Sequence, residues 1–569
     1  MTIPLTRLVD ALTRLRKEYG KSTASLLRAL RKVAAAQIED AETLIRIHET
    51  LLFIRAYPPK ETVIQEVEKA LKTLEQRVSD LHTAGFDLSP LDDPEVSGIA
   101  GTSVTSNFSY DIVRWLVSKY PKQLSIDWDW FDNEDSFGAT MPQFLPMLAE
   151  DALVEAHVPF RRWLERAAGR LNEVVWLIQR FERLAASRRE KARMYDSMKI
   201  HVRWQFGFAA SRTGLKLPTR QVFFHRQPLI HRRDILLERE LASRPIPIEK
   251  LSARAGERIL DLARATSAVR YRELHGFTYG DPRTVQRADL GRGTQAFVMA
   301  VSPEHRLPLR AYHAAMILKN GVPVAYFEGL SLFERMESGF NLYYTFREGE
   351  TAWLFARILR LMKQLLRVTV ISIDPYQIGH ENEEGIESGA FWFYRKLGFR
   401  PARPELLQLT LAEEKKLSAK LDYRTSPRTL RKLAHGYMLW DESKSKKGDW
   451  DKFQVRNIGL AVQEMMSRDF KGDPERFRAV ALRHVQASVE GHLDVDPKAV
   501  ADFACALMLI RDLRRWTKEE KRLLTEIIEA KARRAEATYL RLMQRHSRLR
   551  SAMIQLGSRT ISARLQGRH

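Results

Sequence analysis

GIESGAFWFYRKLGFRP, residues 385–401, carries the densest structural information in the chain. Ala390, Phe393, Tyr394 and Leu397 recur at i, i+3, i+4 and i+7, which predicts one apolar face of a short helix. Gly398 stands where a helix stops on a left-handed residue, and Pro401 forbids continuation, so the segment turns at once into a hydrophobic strand. Upstream, DPYQIGHENEEGIES (374–388) is a long acidic connection at the carboxyl end of VTVISID (368–374), which reads as a strand buried on both faces. Before it, residues 350–366 are apolar around most of a helical circumference, with a narrow polar stripe of Arg357, Arg360, Gln364 and Arg367, as for a helix packed on a sheet.

Farther upstream, GFNLYYTF (339–346) predicts a strand on which Tyr343 and Tyr344 point to opposite faces, one to the core and one toward a cleft. RAYHAAMILKNGVPVAYFEGLSL is a hairpin turning on Asn320-Gly321, and TQAFVMAVS is another strand. EKLSARAGERILDLARATSAVRYRELHGF (249–277) reads as one or two helices, and LLQLTL (406–411) as a closing strand. Outside this block, residues 1–87 and 425–569 show helical periodicity, the latter as a five-helix bundle without β signals. Residues 100–244 mix helices such as SYDIVRWLVSKYP and the proline-interrupted 142–171 with strands in QLSIDWDWF and QVFFH. The expected architecture is α/β (α+β) and multidomain: 1–87 helical, 100–244 α/β, 245–412 α/β, and 425–569 helical with a basic tail.

Composition bounds the function classes. Of 569 residues, 44% are hydrophobic and 29% charged, which describes a globular chain. No apolar run approaches the roughly 20 residues that cross a bilayer, and the start lacks the apolar core of a secretory signal, so the cytoplasm is the expected compartment. Cys505 is the sole cysteine and lies in the apolar run FACALMLI, which excludes internal disulfides and cysteine-rich zinc sites. Lys and Arg number 93 against 71 Asp and Glu, for a net charge of +22. That favours phosphate-rich partners. From Lys531 to His569 ten basic residues face one acid, Glu536, in a stretch that reads first as a solvated helix and tail.

The order of helix, three strands, helix, strand, helix and strand over 249–411, together with FWFYRKLGF, resembles the acyl-CoA N-acyltransferases of the GNAT superfamily. The resemblance implies a mixed twisted sheet with flanking helices, acyl-CoA as donor and an amine as acceptor. In that family a strand-to-helix loop binds pyrophosphate, because free N–H groups and the helix dipole favour phosphate oxygens. The matching loop is Arg347-Glu348-Gly349-Glu350-Thr351-Ala352, so Arg347, Gly349, Thr351 and Ala352 are implied as donor-binding residues. The loop departs from the family's Q/R-x-x-G-x-G/A: Ala352 fits, Glu350 replaces a glycine, and Glu348 and Glu350 are expected to repel an anion. Tyr394 matches the tyrosine that faces the thioester sulfur and protonates the departing thiolate. It reads equally as a core aromatic with its hydroxyl at the rim.

A base for the amine is sought among glutamates. Glu328, at the end of VAYFEGL, is the candidate, with Glu334 and Glu337 in the following loop LFERMES; solvation explains the same letters. His380, Glu381, Glu383 and Glu384 suit a basic substrate better than a metal, and no metal is assigned. DWDWFDNED lacks the glycine and glutamate of a calcium loop, and His225 and His231, lacking metal-pair spacing, read as part of a basic loop. The leading expectation is acyl transfer from acyl-CoA to an amine. Two alternatives stand beside it: a transferase using aminoacyl-tRNA, or an inactive GNAT-shaped scaffold that binds nucleic acid or protein.

Overall fold

Asn320 and Gly321 have φ angles of +49° and +80°. This left-handed pair makes the two-residue turn that matches strand twist. A Cβ at Gly321 would lie 2.1 Å from the Leu217 carbonyl oxygen, so a passing loop also requires glycine there. The turn joins the longest strands of the chain, Ala311–Lys319 and Val322–Leu332. The computed structural model that contains them describes residues 5–20, 23–148, 158–442, 448–491, 493, 495–533 and 535–559. Part of the proline-interrupted helical stretch expected over 142–171, and the end of the basic tail, fall outside the described residues.

In chain order the strands are β1 (Ser103–Ser106), β2 (Leu124–Ile126), β3 (Val202–Gln205), β4 (Ile248–Lys250), β5 (Gln286–Gly291), β6 (Thr294–Ala300), β7 (Ala311–Lys319), β8 (Val322–Leu332), β9 (Arg335–Leu342), β10 (Val370–Ile373), β11 (Arg400–Pro401) and β12 (Met438–Asp441). Nine of them form one mixed sheet in the order β11-β12-β10-β9-β8-β7-β6-β5-β4. Every residue of β7 is buried, so both faces of the sheet are covered. On one face packs the helix Thr351–Leu366, whose Phe355 ring lies 5.2 Å from that of Phe340 on β9. On the other packs the short helix His275–Thr278, where a Cβ on Gly276 would lie 2.4 Å from that of Ala314 on β7. β1, β3 and β2 form a separate three-stranded sheet with its own aromatic core around Trp204. The N-terminal helices, among them Ala41–Ala56, belong to the same core as the large sheet.

The pairing of β9 positions the cleft described below. On one side β9 pairs antiparallel with β8 from Arg335 to Leu342. On the other it pairs parallel with β10 only at Arg335, Met336 and Glu337. The pairing stops there, and among the described residues the Ser338–Leu342 edge has no strand beside it. Among the described residues no helix is long and apolar enough to cross a membrane.

Several local expectations are corrected. LLQLTL is not a strand: it lies in the helix Pro404–Ala419, where proline occupies the tolerated first turn. The closing strand is β12, from within the stretch read as purely helical, and it enters between β10 and β11. QVFFH has no strand, and QLSIDWDWF keeps only β2 before a 3-10 turn at Trp128–Trp130. The strand expected at 339–346 begins earlier and ends at Leu342, followed by a 3-10 turn at Tyr344–Phe346. Tyr343 and Tyr344 therefore do not alternate on a strand: Tyr343 is buried beneath Arg270 and Tyr344 is exposed. Residues 383–395 form two short helices, Glu383–Glu387 and Ala390–Arg395, divided at Gly389 with φ +65°.

Candidate functional site

A cleft of about 640 Å³ opens where β9 and β10 part. Its walls come from the free end of β9 (Phe340, Asn341, Leu342), from Tyr326 on β8, from Arg347 and Thr351 at the start of a helix, and from residues 376–394. Arg347, Thr351 and Tyr394, expected from the sequence, thus surround one space. Arg272, Tyr326 and Asn341 were not anticipated; they come from separate elements, and only the strand register brings Tyr326 opposite Asn341.

At one end the helix Thr351–Leu366 begins without a side-chain cap, leaving its first-turn amides without a side-chain acceptor. The Thr351 hydroxyl donates to the Arg347 carbonyl at 3.0 Å. The Arg347 guanidinium donates to Glu95 at 3.1 Å and also pairs with Glu384, and Arg272 donates to the same Glu95 at 2.9 Å. Two cations at the cleft are thus held by the carboxylates of Glu95 and of Glu384 in the Glu383–Glu387 helix.

The acids of the loop do not oppose an anion in the cleft. Glu348 turns outward to Arg16 at 2.6 Å and Lys17 at 2.5 Å. Glu350 is fully buried on the far side, 3.2 Å from Lys319 and 2.7 Å from Arg292, and accepts the Ile230 amide. Burial raises the Glu350 pKa, but Lys319 and Arg292 outweigh it and hold the carboxyl below its ordinary value. Gly349 and Ala352 do not line the cleft. A Cβ on Gly349 would lie 2.6 Å from the Tyr57 hydroxyl, so this glycine serves the packing of the N-terminal helices. Ala352 is buried in the helix's core face.

Tyr394, 4% exposed, stands in the cleft wall with its ring against Phe355, Phe393 and Phe399. Burial, the sole cause, pushes its hydroxyl pKa up, so it is a neutral acid at the cleft wall. Glu328 does not reach the cleft: it accepts the Tyr312 hydroxyl, two residues along β8 from Tyr326 and on the same face. Glu337 lies within β9, not in a loop; burial raises its pKa, and Arg310 is 3.3 Å away. Glu334 occupies the β8–β9 turn, where burial raises its pKa but Arg550 and the Trp450 indole, at 2.8 Å, outweigh it. Neither lines the cleft.

Other residues separate from the site. His225 lies in an irregular segment, but its ring is buried among Tyr19, Tyr57 and Phe223, and burial lowers its pKa to about 3. Thr213, His48 and Glu49 have the contacts of a hydrolytic triad, with the Thr213 hydroxyl 3.1 Å from His48 Nε2 and Glu49 3.0 Å from Nδ1. All three are buried, so no substrate reaches them. The His380 and His435 rings lie 4.9 Å apart. Among the described residues no three His, Cys, Asp or Glu side chains are grouped to hold a metal ion. A second groove of about 500 Å³ shares Ser388 and Phe393 with the cleft. Its ionisable lining is all cationic (Arg232, Lys396 and Arg424), beside the Trp392 indole.

Compared with protein-family models, curated proteins and solved structures, the chain matches none.

Proposed function

We propose that the chain is a GNAT-like N-acyltransferase that moves an acyl group from acyl-CoA to an amine. One observation carries the reading: Arg347, Thr351 and Tyr394 meet in a cleft bounded by a strand edge that has no neighbouring strand among the described residues. The pantetheine arm of CoA is extended and carries two amides, which suits pairing along Ser338–Leu342. The uncapped helix start at Thr351, with Arg347 and Arg272, suits phosphate. The thioester, at the end of that arm opposite the phosphates, then lies near Tyr394. As the amine nitrogen bonds the carbonyl carbon, the carbon–sulfur bond breaks, and the Tyr394 hydroxyl gives its proton to the leaving sulfur. The proton released by the amine restores the phenol through solvent. Glu328, two residues along β8 from Tyr326, accepts the Tyr312 hydroxyl and does not line the cleft.

Thermal stabilisation by acetyl-CoA tests the donor site. A glutamate at the first position of a helix is itself favourable, so Thr351→Glu keeps the fold while opposing phosphate. The wild type is expected to gain about 3 °C at saturating acetyl-CoA, and Thr351→Glu to gain nothing. Equal gains in both proteins would refute the site. Glu384→Gln releases one of the carboxylates that hold Arg347. Calorimetry is expected to show acetyl-CoA bound about threefold more tightly, with Glu384→Ala agreeing in direction.

The cationic groove beside Trp392 favours a second reading, in which the acyl group arrives on tRNA. That reading predicts stabilisation by aminoacyl-tRNA that Lys396→Glu removes, and no response to acetyl-CoA.

A further inference from the structure

Arg270 follows the helix Ala253–Ala268 and is buried, and Arg212, from the loop after β3, is buried with it. Among the described residues one carboxylate pairs with this couple: Glu49, which pairs with Arg212 and also accepts the Thr345 hydroxyl. His48 adds no charge. Burial lowers its pKa, and its neutral ring is satisfied by Glu49 on Nδ1 and Thr213 on Nε2. A guanidinium stays protonated in proteins, so this cluster holds two positive charges against one negative. Arg270 offsets part of the deficit by lying 3.9 Å above the Tyr343 ring and by donating to the Thr266 carbonyl at 2.6 Å. Neither contact supplies an anion.

The same place contains space and unpaired donors. A cavity of about 10 Å³ is lined by Arg212, Arg270 and Thr266, with Leu52, Val322 and Phe346 among the apolar walls. Among the described residues, the Nε atoms of both arginines and the Thr266 hydroxyl are buried with no hydrogen-bond partner. Three donors on residues lining one cavity, beside one uncompensated charge, are the reverse of what a buried cluster tolerates.

We propose that this cavity is a binding site for a small monovalent anion of the halide type. One negative charge balances the cluster, and the volume is that of a single small particle. The partly apolar wall suits a polarisable ion better than sulfate, whose second charge would overshoot and whose size exceeds the space. The site joins the N-terminal helices, the small α/β unit and the large sheet. It lies two residues from Arg272 and two from Asn341 of the cleft, through Arg270 and Tyr343.

Melting in sodium chloride is compared with sodium gluconate at equal ionic strength, about 150 mM, which holds screening constant. The expected result is a saturable rise of about 2 °C in chloride and in bromide, absent in gluconate and sulfate. Arg270→Met removes the surplus charge and is expected to melt at one temperature in all four salts. Crystals of the wild-type protein grown in bromide provide a second measurement that needs no variant. A bromine anomalous peak between Arg212 and Arg270 is expected. Identical melting in chloride and gluconate, a halide response that persists in Arg270→Met, or a bromide map without that peak would each overturn the proposal.

Discussion

Tyr394→Phe is expected to lower kcat by about 10²–10³-fold while leaving stabilisation by acetyl-CoA intact. The ring is held by three phenylalanines and keeps its place without the hydroxyl. Only burial acts on that hydroxyl, so its loss strands no buried partner and the variant folds. The magnitude reflects what a positioned proton donor contributes when a thiolate must leave. Steady-state kinetics with a thiol-reactive dye, paired with the thermal shift, separates chemistry from binding. A variant with unchanged kcat would leave Tyr394 as a core aromatic and move the acid elsewhere.

Glu350→Gln is expected to destabilise the protein by about 3–5 kcal/mol. Lys319 is fully buried, with its amine 5.0 Å from the Tyr57 ring and 5.3 Å from that of Phe223, and donates to the Arg292 carbonyl. Burial lowers its pKa to about 8, against the pull of Glu350. Glutamine fills the same space and can still accept the Ile230 amide, so the loss is electrostatic. The pH dependence has a definite sign. The folded carboxyl pKa is depressed, so its contribution is complete above the ordinary carboxylate range and lost as pH falls through it to the folded value. The gap between wild type and variant therefore narrows below about pH 4.5, which urea melts at neutral and acidic pH measure. A constant gap would assign the loss to packing.

The parts of this fold readable from sequence were those written in local spacing. The Asn320-Gly321 hairpin, the apolar helix after Thr351 and the left-handed stop at Gly398 each rest on neighbours within a few residues. β12 was missed because MLWD is four residues long, and its strand character comes from the two strands it joins. LLQLTL was misread because a short apolar run fits either period until the preceding proline and the following charged turns are weighed. At the site, the loop and Tyr394 could be named, but not the direction of any side chain. Glu348 and Glu350 looked like obstacles because their partners, Arg16, Lys17, Arg292 and Lys319, lie far away in the chain. For the same reason Gly349 looked like a phosphate contact, when its bare Cα makes room for Tyr57.

β12 also governs when the site can exist during synthesis. β10 meets β9 over only three residues, and its other edge is closed by β12, which also carries β11 just after the Tyr394 helix. A nascent chain that has emerged only as far as residue 420 holds the hairpins but cannot finish the wall that carries the phenol. Ribosomes must therefore deliver the segment ending at Asp441 before the two halves of the cleft lock together, and a fragment cut at the end of the α/β pattern would present an open sheet edge to its neighbours.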